Sequence, residues 1–464
     1  MRAKYGDTAR DIALAQKIAE AVNEAGGTAY FVGGCVRDGL MGRVTKDVDV
    51  EIHGVPEDKL KQLLSRFGTV TEFGKSFGIY GVAGYDVDIA LPRSERKTGE
   101  GHRGFDVSVD PFIGTRAAAK RRDFTVNALM KNVLTGEIVD HFGGLPDLEN
   151  AVLRHVDDDS FAEDPLRVLR AARFSAQLGF TVDDGTIEIC KATDISMLSR
   201  ERVCEELKKA LTASKTPSMF FRVLRSANAL SCWFSELEAL IGLEQNPAYH
   251  PEGDVFAHTM LVVDSAAKAK KYAKNAFGFM LAALAHDFGK AKTTERINGV
   301  IHAYRHEEAG VRLADVFLHR ITGEKELIRY VKNLVALHMK PHAAARDGAS
   351  VKSTNNMFDE SVDPQALVQL AICDNDGMLR PEENEISRPF LTERLKIYEE
   401  TVSKPAVTGD DLIGAGIEPG IGFSDALRYS RKLLLAGIPK DRALTETLAY
   451  IRSKTNERQS KSRP

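Results

Sequence analysis

Long apolar runs are missing from this 464-residue sequence. Nothing approaches the roughly 18 consecutive apolar residues of a membrane span, so no membrane partner is expected. The opening MRAKYGDTARDIALAQKIAE mixes acids with its apolar residues and reads as an amphipathic helix rather than a signal peptide. Cysteine is sparse: Cys35, Cys190, Cys204, Cys232 and Cys373 are scattered, odd in number and without a CxxC pair. That argues against a disulfide framework and for reduced thiols in a cytoplasmic protein. Positive charge is not in excess either. A net charge of −3 excludes a generally basic nucleic-acid coat while leaving room for a local basic groove. Internal repeats and low-complexity tracts are absent. What remains, 43% hydrophobic and 28% charged, is ordinary globular composition, and the length calls for two to four domains.

Against that background one stretch stands out, FVGGCVRDGLMGRVTKDVDVE from Phe31 to Glu51. It begins as an apolar strand, turns through Gly33-Gly34, carries Arg37 and Asp38, and reaches Asp47-Val48-Asp49. Side chains two apart in a strand point the same way. Asp47 and Asp49 therefore present two carboxylates on one face, with Val48 and Val50 buried on the other. Converging acids downstream of a glycine pair, where backbone N–H groups can approach a ligand closely, suit Mg²⁺-assisted phosphate chemistry. An edge strand with solvated acids is the competing reading, and the glycine pair and Arg37 count against it.

GGxVRDxL followed by DxD resembles the head domain of the class II nucleotidyltransferases, the bacterial CCA-adding enzymes and their poly(A) polymerase relatives. The resemblance implies an α+β protein. A small mixed-sheet, polymerase-beta-like nucleotidyltransferase head spans residues 1–150, and an all-α neck and body for nucleotide selection and RNA binding spans 151–245. An all-α HD domain follows over 246–380, then a helical C-terminal region with a basic tail over 381–464. Within the head, helical spacing over 8–25 stops at Gly26-Gly27, and Pro56 introduces a helix over 57–67. TVTEFGKSFGIYGVAGYDVDIAL gives a pair of strands, the second carrying Asp86 and Asp88. The family places its third carboxylate on a neighbouring strand just before R-x-E-R-K, here Arg93 to Lys97; that assigns Asp88 and leaves Asp86 as its rival. Asp47, Asp49 and Asp88 are thus the expected catalytic acids, with Asp47 and Asp49 holding Mg²⁺. Residues 97–116 are glycine-rich and read as a mobile loop over the site, which in the family helps switch from C to A addition.

KRRDFTVNAL reads as a helix opening at Asp123, with Arg121 and Arg122 poised for phosphates and Asn127 one turn on. It resembles the family's RRDFTxNAL, whose arginine and asparagine bind the triphosphate and sugar of the incoming nucleotide. The family's DPFGG appears here with His141 in place of the proline. In FAEDPLRVLRAARFSAQLGF, Asp164 and Pro165 make a helix start, and Arg167, Arg170 and Arg173 fall within an arc of about 120°. A carboxylate accepts hydrogen bonds and a guanidinium donates them. Asp164 and Arg167 can therefore match the amino donor and ring-nitrogen acceptor that C and A share and that G and U reverse. The stretch resembles the family's EDxxR, with Glu163, Asp164 and Arg167 in place. The nucleotide-binding set is then Gly33, Gly34, Arg37, Arg121, Arg122, Asp123, Asn127, Asp164, Arg167, Arg170 and Arg173. The chain is helical from Thr181 to Leu240, where Lys208, Lys209, Arg222 and Arg225 offer contacts to RNA phosphates.

At His250 a second chemistry begins. HPEGDVFAHTM holds His258, LAALAHDFGK holds His286 and Asp287, and His306, His338 and Asp374 follow. Imidazoles and carboxylates at helical ends or faces suit one or two divalent metals. The order H…HD…H…H…D resembles an HD-type phosphohydrolase. His258, His286, Asp287 and Asp374 are the expected ligands, completed by His306 and His338, around a divalent transition metal or Mg²⁺. Residues 381–450 are helical with breaks at Pro381, Pro389, Pro405, Pro419 and Pro439, and RSKTNERQSKSRP reads as a frayed tail.

The expected function is template-independent addition of CCA to tRNA 3′ ends from CTP and ATP, with no DNA partner. A separate HD site would act as 2′,3′-cyclic phosphodiesterase, 2′-nucleotidase and phosphatase. The nearest rival is a bacterial poly(A) polymerase or a restricted A-adding enzyme. GKSFGIYGV stands where the polymerases carry an arginine-rich stretch, which favours CCA. A nucleotide or RNA sensor with only the HD site active is the rival of another class.

Overall fold

A computed structural model of the chain describes residues 8–45, 47–73, 78–97, 105–420 and 422–461. It forms two compact units, residues 1–210 with 219–232 and residues 211–218 with 233–464.

The first unit opens with α1 (Thr8–Glu24), β1 (Thr28–Val32), α2 (Gly34–Leu40), β2 (Val48–His53), α3 (Glu57–Leu64), β3 (Val70–Phe73), β4 (Ile79–Val82) and β5 (Val87–Ala90). Next come β6 (Arg93–Lys97), β7 (Phe105–Val109), α4 (Thr115–Lys120), β8 (Met130–Asn132), β9 (Ile138–Val139) and α5 (Gly144–Glu149). The seven-stranded sheet has the order β3-β4-β5-β2-β1-β8-β9. Every neighbouring pair is antiparallel except β2 and β5, so the sheet is mixed. Leu14, Ile18 and Val22 of α1 and Leu60 and Leu64 of α3 share one core with Val48, Val50, Ile52, Val87 and Ile89. Each such side chain contributes about 1.5–3 kcal/mol on burial. A one-residue slip of β2 would exchange these valines for Asp49 and Glu51, so the core pins the carboxylates to the opposite face.

Two expectations for this unit change. The segment 97–116 is not one loop: β6 and β7 pair antiparallel from Arg93↔Val109 to Lys97↔Phe105, and α4 starts at Thr115. Residues 98–104 lie outside the described residues, as do Gly74 to Phe77 of the GKSFGIYGV stretch. Nor does a helix open at Asp123. Phe124 is extended (φ −130°, ψ 149°) and only Thr125–Asn127 form a 3₁₀ turn. Tertiary packing overrides local preference there, because fully buried Phe124 meets Phe161 and Phe174 edge-on at 5.9 and 5.8 Å.

The chain continues through β10 (Val152–Leu153), α6 (Asp158–Glu163), α7 (Leu166–Leu178), β11 (Thr181–Val182), α8 (Asp184–Ala192), α9 (Arg200–Ala213), α10 (Ser218–Ser226) and α11 (Leu230–Glu238). The second unit holds α12 (Val255–Ala269), α13 (Ala276–Ala285), α14 (Lys290–Thr293), β12 (Thr294–Ile297), β13 (Val300–Ala303), α15 (His306–Ile321), α16 (Lys325–Leu337) and α17 (Met339–Arg346). It also holds α18 (Val351–Glu360), α19 (Pro364–Gly377), α20 (Pro381–Val402), α21 (Gly409–Gly414), α22 (Phe423–Leu435) and α23 (Lys440–Lys461). Helices dominate, interrupted by the parallel pair β10–β11 and the hairpin β12–β13. Nine of the ten residues of α13 are buried, the signature of a central helix apolar on every side. Pro389 does not break α20 as expected. An internal proline costs about 3 kcal/mol, and Leu391, Leu395 and Tyr398 beyond it are buried, which holds the helix together. The stretch from Arg452 to Lys461 continues α23 rather than fraying; the last three residues lie outside the described residues.

Candidate active sites

In the first unit, Asp47 precedes β2, and Asp49, Glu51 and His53 follow it on the face opposite the buried valines. Asp49 and Asp88 are direct Cα partners across β2 and β5. Burial, then the Asp88 charge, pushes the Asp49 carboxyl up to about 6; Asp47 and Asp86 add to the rise and Arg122 opposes it. Asp88 therefore weighs more on Asp49 than its rival Asp86 does. A carboxyl held up by burial and by neighbouring acids is one a hard divalent cation relieves, so Asp49, with Asp47 and Asp88 beside it, fits one.

Gly33 is left-handed (φ +71°), and a Cβ there would stand 3.2 Å from Arg122 Nη1 and 3.8 Å from Asp49 Oδ2. The bare backbone thus keeps an open cradle between cation and acid. Arg122 is held by Glu51, Nη2 to Oε2 at 3.2 Å. Burial works against the Glu51 charge, yet the hydrogen bond from His53 and the charge of Arg122 leave its pKa lowered.

A buried relay runs from α2 to α7. Arg37 pairs with Asp38 at 2.7 Å and donates to Asn127 Oδ1 at 2.5 Å. Asn127 donates to Asp123 Oδ1 at 2.9 Å, and Arg170 meets Asp123 Oδ2 at 2.6 Å. Burial raises the Asp123 pKa, but the Arg170 charge and the Asn127 hydrogen bond win and lower it. The guanidiniums of Arg37, Arg170 and Arg173 lie 5.1, 5.2 and 3.9 Å from the centre of the Phe174 ring.

The even arginine stripe expected on α7 is not one surface. Arg173 is buried and bonded to Glu206 (2.5 Å) and Gln177 (2.7 Å). Arg167 donates to the carbonyls of Ser160 (2.6 Å) and Arg121 (2.5 Å), and Arg121 donates to that of Arg93. Asp164 pairs with Arg202 at 3.0 Å. Ahead of Pro165 it is extended (φ −115°, ψ 99°), and its Oδ1 both accepts the Leu166 backbone N–H at the start of α7 (3.2 Å) and meets Arg202 of α9. Glu51, Phe174, Arg202 and Glu206 escaped the sequence reading. Only Glu51 had a local signal, the alternation of β2.

The second unit gathers its predicted residues at one centre. His286 follows α13, His306 opens α15, His338 joins α16 to α17, and His258 and Asp374 sit on α12 and α19. His258 Nε2 lies 2.9 Å from Asp374 Oδ1 and 3.7 Å from Asp287 Oδ2. His286 Nε2 lies 3.3 Å from Asp287 Oδ2, and His306 Nε2 lies 3.3 Å from Asp287 Oδ1. Gly289 makes the approach possible, since a Cβ there would fall 1.8 Å from the His306 carbonyl oxygen.

Nδ1 of His286, His306 and His338 each donates to the carbonyl three residues upstream, at 2.8, 2.8 and 2.7 Å. Each Nε2 therefore carries a lone pair turned inward. His306 and His338 set theirs 3.1 Å apart, and His286 Nε2 is buried with no hydrogen-bond partner among the described residues. Facing lone pairs repel unless a cation lies between them, so this donor set fits a divalent metal. Burial raises and His258 and His342 lower the Asp374 pKa, which ends well below the carboxylate range. Burial and the neighbouring His306 push His338 down to about 3. The sequence reading missed His342, 3.0 Å from Asp374 Oδ2, Lys290, 2.7 Å from Asp287 Oδ2, and Glu252. His342 had a signal, one helical turn after His338. A cavity of about 770 Å³ opens on the centre, lined by His306, His342 and Asp374 and by Tyr249, Tyr304 and Ile386.

Comparison with known proteins follows the same division. The Poly A polymerase head domain family matches residues 29–154, and the HD domain family matches residues 255–379. A Multifunctional CCA protein of Stenotrophomonas maltophilia is 36% identical over 380 residues, covering 79% of this chain and 90% of the relative. Another, from Pasteurella multocida, is 42% identical over 61% of this chain and 67% of the relative. The fold resembles that of the Thermotoga maritima CCA-adding enzyme complexed with tRNA, with a TM-score of 0.61 at 19% identity over 95% of both chains. A CCA-adding enzyme solved with ATP gives a TM-score of 0.65 at 20% identity, over 96% of this chain and 94% of that one. Among the described residues no helix is long and apolar enough to cross a membrane. With a nucleotidyltransferase head, an HD domain and 36% identity over 79% of this chain to one of its members, the chain belongs to the family of multifunctional CCA proteins.

Proposed function

We propose that this nucleotidyltransferase adds C, C and A to the 3′ ends of tRNA in the cytoplasm, taking CTP and ATP as substrates and no nucleic-acid template. The observation that carries the reading is the register of Asp49 on Asp88, with Arg122 cradled beside them at Gly33. Asp47, Asp49 and Asp88 are the catalytic acids. Mg²⁺ held there supplies neutralisation of phosphate charge and a lower pKa for the RNA 3′-hydroxyl. Arg122 and Arg121 serve the triphosphate at the glycine pair. Arg37, Asp123 and Asn127 brace Arg170, so that the α7 arginines meet the nucleotide already oriented. Asp164 and Arg167 read the base edge, which requires Asp164 to exchange Arg202 for the base when nucleotide enters. Residues 1–150 form the head, 151–245 the selecting and RNA-binding neck and body, 246–380 the HD domain and 381–464 the C-terminal helical region.

The HD centre is proposed to hydrolyse 2′,3′-cyclic phosphates, 2′-nucleotides and phosphomonoesters. His258, His286, Asp287 and Asp374, with His306 and His338, would hold a divalent ion, which supplies Lewis acidity toward the phosphoester. Lys290, bonded to Asp287, is placed to balance anionic charge at the cavity floor.

Labelled CTP and ATP with tRNA lacking its CCA end test the proposal. Incorporation that stops after three nucleotides is expected. Long A tails would assign a poly(A) polymerase instead, and hydrolysis without any incorporation would leave only the HD site at work.

A further inference from the structure

His258 is fully buried, and its two ring nitrogens face different neighbours. Nε2 faces Asp374 and Asp287; Nδ1 lies 2.8 Å from Glu252 Oε1. His250 sets its own Nδ1 2.8 Å from the same oxygen. The Glu252 side chain is only 1% exposed, and its Oε2 is buried with no hydrogen-bond partner among the described residues. A carboxylate taken out of water on those terms is costly, so its place needs a reason.

The other inward-facing histidines supply it. His286, His306 and His338 are each locked by the backbone carbonyl three residues upstream. For His258 that carbonyl belongs to Val255, and it accepts the Thr259 hydroxyl at 2.8 Å instead. His258 thus lacks the lock its partners share, and the Glu252 carboxylate stands where the lock has to act.

We propose that Glu252 is a positioning residue of the HD centre: its Oε1 accepts Nδ1–H of His258 and so turns the Nε2 lone pair on the metal, with His250 bracing the same oxygen. Carboxylate partners of ligating histidines fix both tautomer and ring orientation. The inference rests on the reading of this cluster as a metal centre.

The test titrates the full chain with Co²⁺, read by visible absorption and by competition with a chelator, alongside thermal melts in excess chelator. Glu252→Ala is expected to weaken Co²⁺ binding by about 10–100-fold and to change the Co²⁺ spectrum. Glu252→Gln keeps an acceptor oxygen and should recover most of the affinity. Both variants should melt with wild type once the metal is stripped. Unchanged affinity in Glu252→Ala would overturn the proposal. So would an affinity loss matched by a drop in the chelated melt that Glu252→Gln does not restore, the mark of a merely structural carboxylate. Wild-type chain that takes up no Co²⁺ at all would instead sink the metal-centre reading, and the proposal with it.

Discussion

The two clusters meet the same demand, charge held ready for phosphate, with opposite constructions. In the first unit like charges are crowded: Asp49 faces Asp88 in register, and burial together with the Asp88 charge shifts its pKa up to about 6. The arginines nearby are each already matched to an acid or a carbonyl. In the second unit the demand is met by interleaving imidazoles with buried carboxylates and by locking three of the rings from behind with backbone carbonyls. A site that must accept a new nucleotide at every step suits a row of acids beside pre-paired arginines. A site built to keep its ion suits burial.

The comparison breaks most decisively if the clusters are not separate. Asp49→Asn should cut CTP incorporation into tRNA lacking CCA by at least about 10³-fold, a few kcal/mol of lost stabilisation, and leave hydrolysis of a 2′,3′-cyclic nucleotide intact. His306→Ala should do the reverse. Measuring both activities on both variants settles it; a variant that loses the two together would refute independent centres.

Next in size is the pre-pairing itself. Arg173 and Glu206 are nearly excluded from solvent, at 8% and 4% side-chain exposure. Removing one partner of such a pair typically costs about 3–5 kcal/mol, because the other charge stays buried alone. Glu206→Ala should lower the denaturant midpoint of the first unit accordingly. A change below about 1 kcal/mol would mean that Arg173 is not committed to the fold and is free for ligand.

How much of this could be read from the sequence follows from how local each signal is. Period-two alternation exposed the Asp47–Asp49 face because a strand repeats every two residues, and H…HD…H…H…D was legible as an order of residues that resembles an HD-type phosphohydrolase. The partners were not. Arg202 for Asp164, Glu206 for Arg173 and Asp374 for His342 are joined only by the folded chain. Phe124 carries no local sign that two distant rings hold it extended where RRDFT reads as a helix start.

The pH dependence of the first unit is a smaller effect with a definite sign. A carboxyl at about 6 in the fold and at its ordinary 3.8 when unfolded binds its proton more tightly when folded. Stability is then fully present below about pH 4, falls as pH rises to about 6, and stays flat beyond. The loss is about 1–3 kcal/mol after allowance for solvent at this partly exposed site. Asp49→Asn should abolish the slope, and saturating Mg²⁺ should flatten it. Chemical unfolding of the metal-free chain between pH 4 and 7 measures this. A slope of opposite sign would mean that Asp49 is stabilised as an anion and that the crowding argument is wrong.

The smallest predicted effect concerns Phe174, where the comparison can be sharpened rather than broken. Three guanidiniums face one ring, at 5.1, 5.2 and 3.9 Å, and such a contact is worth about 0.5–1 kcal/mol where exposed and about 2 kcal/mol where desolvated, as at buried Arg37 and Arg173. Phe174→Leu keeps an apolar side chain of similar reach but removes the ring's negative face. The arginines keep their acids, so the fold should hold, while the orientation shared by Arg37 and Arg170 loosens. The expected outcome is a rise of about 3- to 10-fold in KM for CTP and ATP, with a lower melting temperature because Phe174 also packs edge-on against buried Phe124, and no change in hydrolysis at the HD centre. Steady-state kinetics with each nucleotide decides it. If kcat/KM is unchanged, ion pairs alone orient the arginines. If CTP and ATP suffer unequally, the ring takes part in choosing between the bases, and orientation in the first unit is a matter of aromatic support as much as of charge.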